Sequence, residues 1–311
     1  MRWHRERERE RERGRGERGP HHHLHHEHHH HGGFGSFLRS LLAGLPWSER
    51  AEQEETLRLE APPGHAVRIQ NANGRIRVIG EDRGDIEVRA TKVAHAGSDA
   101  AAESLLREMR VLCGQVNGVL EVEVETPGRW KRRGHAHLEV RLPRGSSVEV
   151  SASNGKICVE NLCGAVRARS SNGSVDVADV VGDIDVSASN AKVCCSCTRG
   201  HIVARSSNGK IQLHEHRGSV DASTSNGLIV ASMEEVSREG VQLATSNGRI
   251  SLELPKEVDA DVDIRVDNGV IRNDRALCKA TSEREGRLRG KLGGGGAPIR
   301  LRTSNGSICL R

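Results

Sequence analysis

An Asn-Gly dipeptide that returns in phase is the feature that most constrains this chain. Asn falls at 154, 172, 190, 208 and 226, each 18 residues after the last. Steps of 21 then reach Asn247 and Asn268, and a step of 37 reaches Asn305. Gly follows every one except Asn190, where Ala191 stands, and Ser precedes most of them. A second glycine recurs at Gly164, Gly182, Gly200 and Gly218. Self-similarity at a fixed period is the signature of a repeat architecture, whose single unit cannot bury its own apolar face.

Each 18-residue unit reads as two short strands. Apolar residues stand three and five positions past Asn, as Ile157 and Val159, Val175 and Val177, Val193 and Cys195, Ile211 and Leu213. Alternation resumes after the second glycine, with Val166 and Ala168, Ile184 and Val186, Ile202 and Ala204. Period-two alternation turns one face of each strand inward. Asn tolerates a left-handed backbone and Gly adopts it freely, so Asn-Gly makes a corner between strands. Recurring once per unit, it reads as a solenoid corner rather than a hairpin. Asparagines at equivalent corners would then stack roughly 4.8 Å apart and bond amide to amide. A left-handed hexapeptide helix needs an aliphatic every six residues. Six-residue steps from Ile157 reach Cys163 and Arg169, which excludes it.

Composition agrees with a thin core. The chain has no Tyr, two Phe and three Trp, so Val, Ile, Ala and Ser must fill the interior. The reading is an all-β, single-chain β-solenoid over 55–311. Asn73 opens an early unit, with Arg75-Ile76-Arg77-Val78 as first strand and Ile86-Glu87-Val88 as second. An insertion over 93–142 carries a helix at Ala100–Met109, flanked by strands at Leu120–Val124 and Leu138–Leu142. A polar, Gly-rich loop over 274–296 precedes the last unit. Residues 34–48 place Phe34, Phe37, Leu38, Leu41 and Leu42 at helical spacing, a short amphipathic helix. Residues 1–33 alternate Arg with Glu and then run into histidines, a disordered tail by composition.

Repeated Ser-Asn-Gly-x-Ile/Val with a Gly-x-Val/Ile-x-Ala partner resembles the bacterial family named “putative adhesin”, a domain of unknown function with stacked strands. The resemblance covers 55–311 and includes the helix-bearing insertion. It implies surface attachment and supplies no catalytic residues.

Four groups of residues could carry chemistry. His21, His22, His23, His25, His26, His28, His29, His30 and His31 form a tract with many ligand sets for Zn²⁺ or Ni²⁺. Cys194 and Cys197, with His214 and His216 one unit along, offer two thiolates and two imidazoles for zinc at one corner. The acidic run Asp176, Asp179, Asp183 and Asp185 suggests Ca²⁺ chemistry of a carbohydrate-active enzyme, although Arg167 one unit before Asp185 favours a surface ion pair. Arg75, Lys156, Lys192, Lys210 and Arg249 stand two positions past Asn and form a stripe suited to a polyanion.

No phosphate loop, Ser-His-Asp order or dinucleotide fingerprint is present. The leading expectation is a non-enzymatic scaffold that presents a rigid surface to protein or glycan and requires no cofactor. A divalent-metal buffer or sensor using the histidine tail is the alternative. The net charge of +5 is spread among interspersed signs, so specific nucleic-acid binding is not expected. No apolar leader region or stretch long enough to span a bilayer stands in the chain. The expected location is cytoplasmic, with peripheral envelope association. The terminal strand Ile308-Cys309-Leu310-Arg311 has no evident cap, so self-association through the carboxyl-terminal coil is expected.

Overall fold

The computed structural model describes residues 49–128, 133–281 and 286–311. The tail at 1–33, its histidine tract and the expected helix at 34–48 lie outside them. The amino-terminal part holds β1 (Glu49–Glu60), β2 (Ala66–Asn73), β3 (Ile76–Glu81), β4 (Asp85–Ala96), helix α1 (Asp99–Glu108), β5 (Arg110–Val116), β6 (Val119–Glu125) and β7 (Gly134–Pro143). The regular coils follow as β8 (Ser147–Asn154), β9 (Ile157–Leu162), β10 (Val166–Ser170), β11 (Val175–Val180), β12 (Ile184–Ala188), β13 (Val193–Ser196) and β14 (Arg199–Ser206). The chain continues with β15 (Ile211–Asn226), β16 (Ile229–Asn247), β17 (Ile250–Glu253), β18 (Ala260–Asn273), β19 (Cys278–Thr281), β20 (Arg287–Leu292) and β21 (Ala297–Leu310).

Two parallel sheets run along the stack. One holds the strands that follow each Asn, so Val175 lies between Ile157 and Val193, and Val193 beside Ile211. The other holds the strands that follow the second glycine, so Val166 lies between Val148 and Ile184, and Ile184 beside Ile202. Inward residues of both sheets form the core: Ile157, Val159, Val175, Val193, Ile211, Val186 and Ala204 are each at most 1% exposed. Burial of each Val or Ile stabilises by about 1.5–3 kcal/mol. The stack is therefore held by its length, not by any one large side chain.

The glycines permit the close stacking of corners. A Cβ at Gly173 would overlap the carbonyl oxygen of Gly155 directly below it, and one at Gly218 that of Gly200. Just inside the stack, Thr224, Thr245 and Thr303 are nearly buried, and their hydroxyls donate to the carbonyls of Gly209, Gly227 and Gly248. The corner backbone is thus bonded from within.

Chain order and stacking order differ at both ends. β6 pairs with β2, and β7 with β3, so residues from the 93–142 segment form a further coil beyond the one that contains Asn73. The insertion is therefore partly solenoid. Its helix starts at the Ser98 cap, whose hydroxyl accepts the Ala101 N–H, and Leu105 and Leu106 pack into the core. At the other end β21 lies between β16–β17 and β18. This corrects the expectation of an uncovered terminal strand. Ile308 and Leu310 are fully buried with a strand on either side, so β21 offers no free edge. The segment after Asn273 adds β20 antiparallel to β18 and β19 antiparallel to β20.

Candidate functional site

The corner that precedes each first strand carries an unbroken amide ladder. Asn154 Nδ2 donates to Asn73 Oδ1 at 3.0 Å, Asn172 to Asn154 at 3.0 Å, Asn190 to Asn172 at 3.1 Å and Asn208 to Asn190 at 3.0 Å. Asn226, Asn247 and Asn305 each continue it at 2.9 Å, and Asn268 closes it on Asn305 at 3.1 Å. Each inner amide spends one N–H and one oxygen lone pair along the stack. The second N–H and second lone pair face outward, since the side chains are mostly exposed.

Parallel columns flank the ladder. On one side stand the exposed Ser153, Ser171, Ser189, Ser207, Ser225 and Ser246. They border two open grooves on successive coils. Ser151, Ser171, Ser187, Ser189 and Arg169 line one, and Ser223, Ser225, Ser304, Arg265 and Arg302 line the other. On the other side stands the cationic column of Arg75, Lys156, Lys192, Lys210 and Arg249, interrupted by Ser174 and Leu228. Lys156 is engaged by Asp176 at 2.6 Å, and that partner holds its pKa above the ordinary lysine value. Arg249 bonds the Ser307 hydroxyl at 3.2 Å. Among the described residues Arg75, Lys192, Lys210 and Arg249 make no ion pair.

The opposite outer face is electrically different. Arg68 bridges Glu121 at 2.7 Å and Glu149 at 3.1 Å, and Arg167 meets Asp185 at 3.2 Å. Signs alternate there from Glu121 through Arg68, Glu149 and Arg167 to Asp185, and Val203 on the next coil ends the alternation. The acidic run is dispersed in the same way: Asp176 faces Lys156, Asp185 faces Arg167, and Asp179 sits at the second corner with φ 54°.

The four expected zinc ligands do not assemble. Among the described residues no group of three or more His, Cys, Asp or Glu could hold a metal ion. Thr198 and not Cys197 is the partner of His216: its hydroxyl meets Nδ1 at 2.9 Å. Nε2 lies 3.2 Å from the Ser219 carbonyl, which can only accept, so Nε2 carries the proton. His216 is fully buried, and burial lowers its pKa despite these bonds. Cys197 occupies the left-handed corner position, φ 52°, and points its thiol at the Glu215 carboxylate, which raises the thiol pKa. Cys194 lies on the outer face between Asp176 and Gln212, and His214 lies beside Ser196. The register error is one residue: inward and outward positions exchange at the corner, where the strand alternation lapses.

Two histidine groups carried no sequence signal. His95, His135 and His137 share one outer face, with His95–His135 rings stacked at 6.1 Å and His135–His137 edge-on at 5.0 Å. Burial lowers both His135 and His137, and His137 Nδ1 accepts the Arg75 N–H at 3.0 Å. Strand pairing across the inserted segment creates this group. Elsewhere Ser219 donates to Glu239 at 2.8 Å and meets His201 Nδ1 at 2.7 Å. With its own proton given to Glu239, Ser219 accepts from His201, so the imidazole cannot act as its base there. Ser219 is also 2% exposed.

No curated protein matches the chain. Among solved structures it is similar to a putative adhesin from Bacteroides fragilis, with 11% identity and a TM-score of 0.44 over 86% of this chain and 99% of that one. It is also similar to a putative cell adhesion protein from Clostridium sporogenes, with 11% identity and a TM-score of 0.32 over 84% and 99%. A third, a putative adhesin from Parabacteroides merdae, has 9% identity and a TM-score of 0.27 over 85% and 97%. The stacked coils, the helix-bearing end and the Ser-Asn-Gly corner all fall within residues 65–311, the span matched by one family profile, and the chain belongs to the Toastrack DUF4097 family.

Proposed function

We propose that the chain is a non-enzymatic interaction module whose asparagine corner binds an extended anionic glycan surface. The supporting observation is the charge distribution around that corner. Four cations without ion-pair partners among the described residues stand along one side of a serine and asparagine track, and Arg169 and Arg302 border the grooves on the other. The other outer face neutralises itself through Arg68, Glu149, Arg167 and Asp185. A line of unneutralised cations attracts a polyanion, while hydroxyls and amides repeating every strand spacing offer bonds to sugar oxygens. An extended solenoid surface suits a partner that is itself extended. The adhesin-like name of the structural neighbours agrees with a role in contacting other surfaces. Among the described residues no helix is long and apolar enough to cross a membrane.

The test is binding of the full-length protein to immobilised polygalacturonate and to a neutral glucan at several salt concentrations. The expected result is salt-sensitive binding to the polyuronate alone. Changing Lys192, Lys210 and Arg249 together to Ser should weaken it by about tenfold or more. Equal binding by this variant, or equal binding to the neutral glucan, would remove the reading. Metal buffering through the histidine tract stands as the second proposal, carried by the tract's composition.

A further inference from the structure

At three of the four sheet ends of the stack, antiparallel strands extend beyond the last coil. β4 and then β1 extend the first sheet at the amino-terminal end, and β5 extends the second. β20 and β19 extend the second sheet at the carboxyl-terminal end. The fourth end is different. Residues 268–273 of β18 pair with β21 on one side, and no strand among the described residues pairs with them on the other.

Three observations on this edge converge. First, Ile271 terminates the core column that contains Ile157, Val193, Ile211, Ile250 and Ile308. Those five are fully buried, whereas Ile271 is only partly so. Its neighbour Val270 is 57% exposed. Second, the Asp274 N–H donates to the Leu310 carbonyl at 2.9 Å, which sets the parity of the strand. Residues 270 and 272 direct their backbone groups toward β21, and residues 269 and 271 direct theirs away from the stack. Third, the sequence Gly269-Val270-Ile271-Arg272-Asn273 is compatible with its own antiparallel copy.

We propose that this edge pairs with the same edge of a second copy of the chain, antiparallel about a two-fold axis at Ile271. The N–H and C=O of Ile271 exchange bonds with those of Ile271 in the second copy, as a hydrogen-bonded antiparallel pair requires. The two Ile271 side chains meet on the core side and cover each other. On the outer side Val270 of each copy faces Arg272 of the other. An isologous contact of this kind closes at two copies, which an edge that must not polymerise needs. It is independent of glycan binding, which uses the corner.

The test is sedimentation equilibrium of full-length protein, wild type against Val270→Glu and Val270→Lys. The wild type is expected to dimerise with rising concentration. Val270→Glu places a carboxylate opposite Arg272 twice and should tighten the dimer, and Val270→Lys places like charges there and should loosen it. The two dissociation constants should differ by roughly tenfold or more. Val270 is exposed, so unchanged thermal melts are expected to show both variants folded. A wild type that stays monomeric at the highest concentration reached overturns the proposal. So do Glu and Lys variants that associate equally.

Discussion

Asn268 donates its side-chain amide to Asn305 Oδ1 at 3.1 Å, although Asn305 follows it by 37 residues, and Asn305 in turn donates to Asn247 at 2.9 Å. The ladder thus runs 247, 305, 268 and not in chain order. An inner rung such as Asn208 makes two ladder bonds, to Asn190 and from Asn226, whereas Asn268 makes one. Asn208→Ala should cost about 1–2 kcal/mol and Asn268→Ala about half of that, given ~1 kcal/mol for a net hydrogen bond. Denaturant melts measure both. Equal losses would mean that the amides contribute through the corner backbone and not through the ladder.

Val193 and Ile211 are fully buried, whereas their sequence neighbours Lys192 and Lys210 lie on the outside. Val193→Asp or Ile211→Asp should cost roughly 3–5 kcal/mol, as for an unpaired buried charge. Lys192→Ser or Lys210→Ser should shift stability by only about 0.5 kcal/mol. Comparable destabilisation of all four variants would contradict the register.

His216 makes stability acid-sensitive. Burial holds its folded pKa below the ordinary histidine value, and burial acts in the same direction on His135 and His137. The unfolded chain therefore takes up protons that the folded chain does not, so stability is lost as pH falls below about 6.5. Melting temperature should drop between about pH 7.5 and about pH 5.5. His216→Gln, compared across the same two conditions, should shrink that drop. An undiminished drop would assign it to the other histidines.

The histidine tract should bind Zn²⁺ or Ni²⁺ without contributing to the fold. Calorimetry on the full chain and on a chain beginning at residue 49 separates the two. Binding is expected only in the former, because the described residues hold no ligand cluster. Equal binding by both would place a site within the solenoid.

What was legible in the sequence follows from what repeats. The in-phase Val and Ile pairs identify the inward faces, and the Asn positions identify the corner, because a parallel stack forces equivalent residues into columns. Stacking order was not legible. Asn305 satisfies the ladder equally well after Asn268 or between Asn247 and Asn268, and local pattern does not distinguish them. The zinc corner failed for a related reason. A left-handed residue at Cys197 breaks the alternation, so His216 turns inward to Thr198 while Cys197 turns outward to Glu215. The cationic column was legible as positions, but Lys156's capture by Asp176 depends on how two long side chains reach across coils.

The threading of β21 has a consequence for the newborn chain. The coils from Asn154 to Asn247 can be laid down one upon the next as they leave the ribosome, since each finds its neighbour already made. β18 cannot follow them, because the strand it rests on, β21, is synthesised after it. β18 and the hairpin that follows it must wait, exposed, until β21 is made and slots in beneath them. This end is therefore completed only once β21 has been made, and β21 acts as a clasp. Chains cut short before Ala297 would hold the central coils yet leave the segment after them unfastened and open to proteolysis.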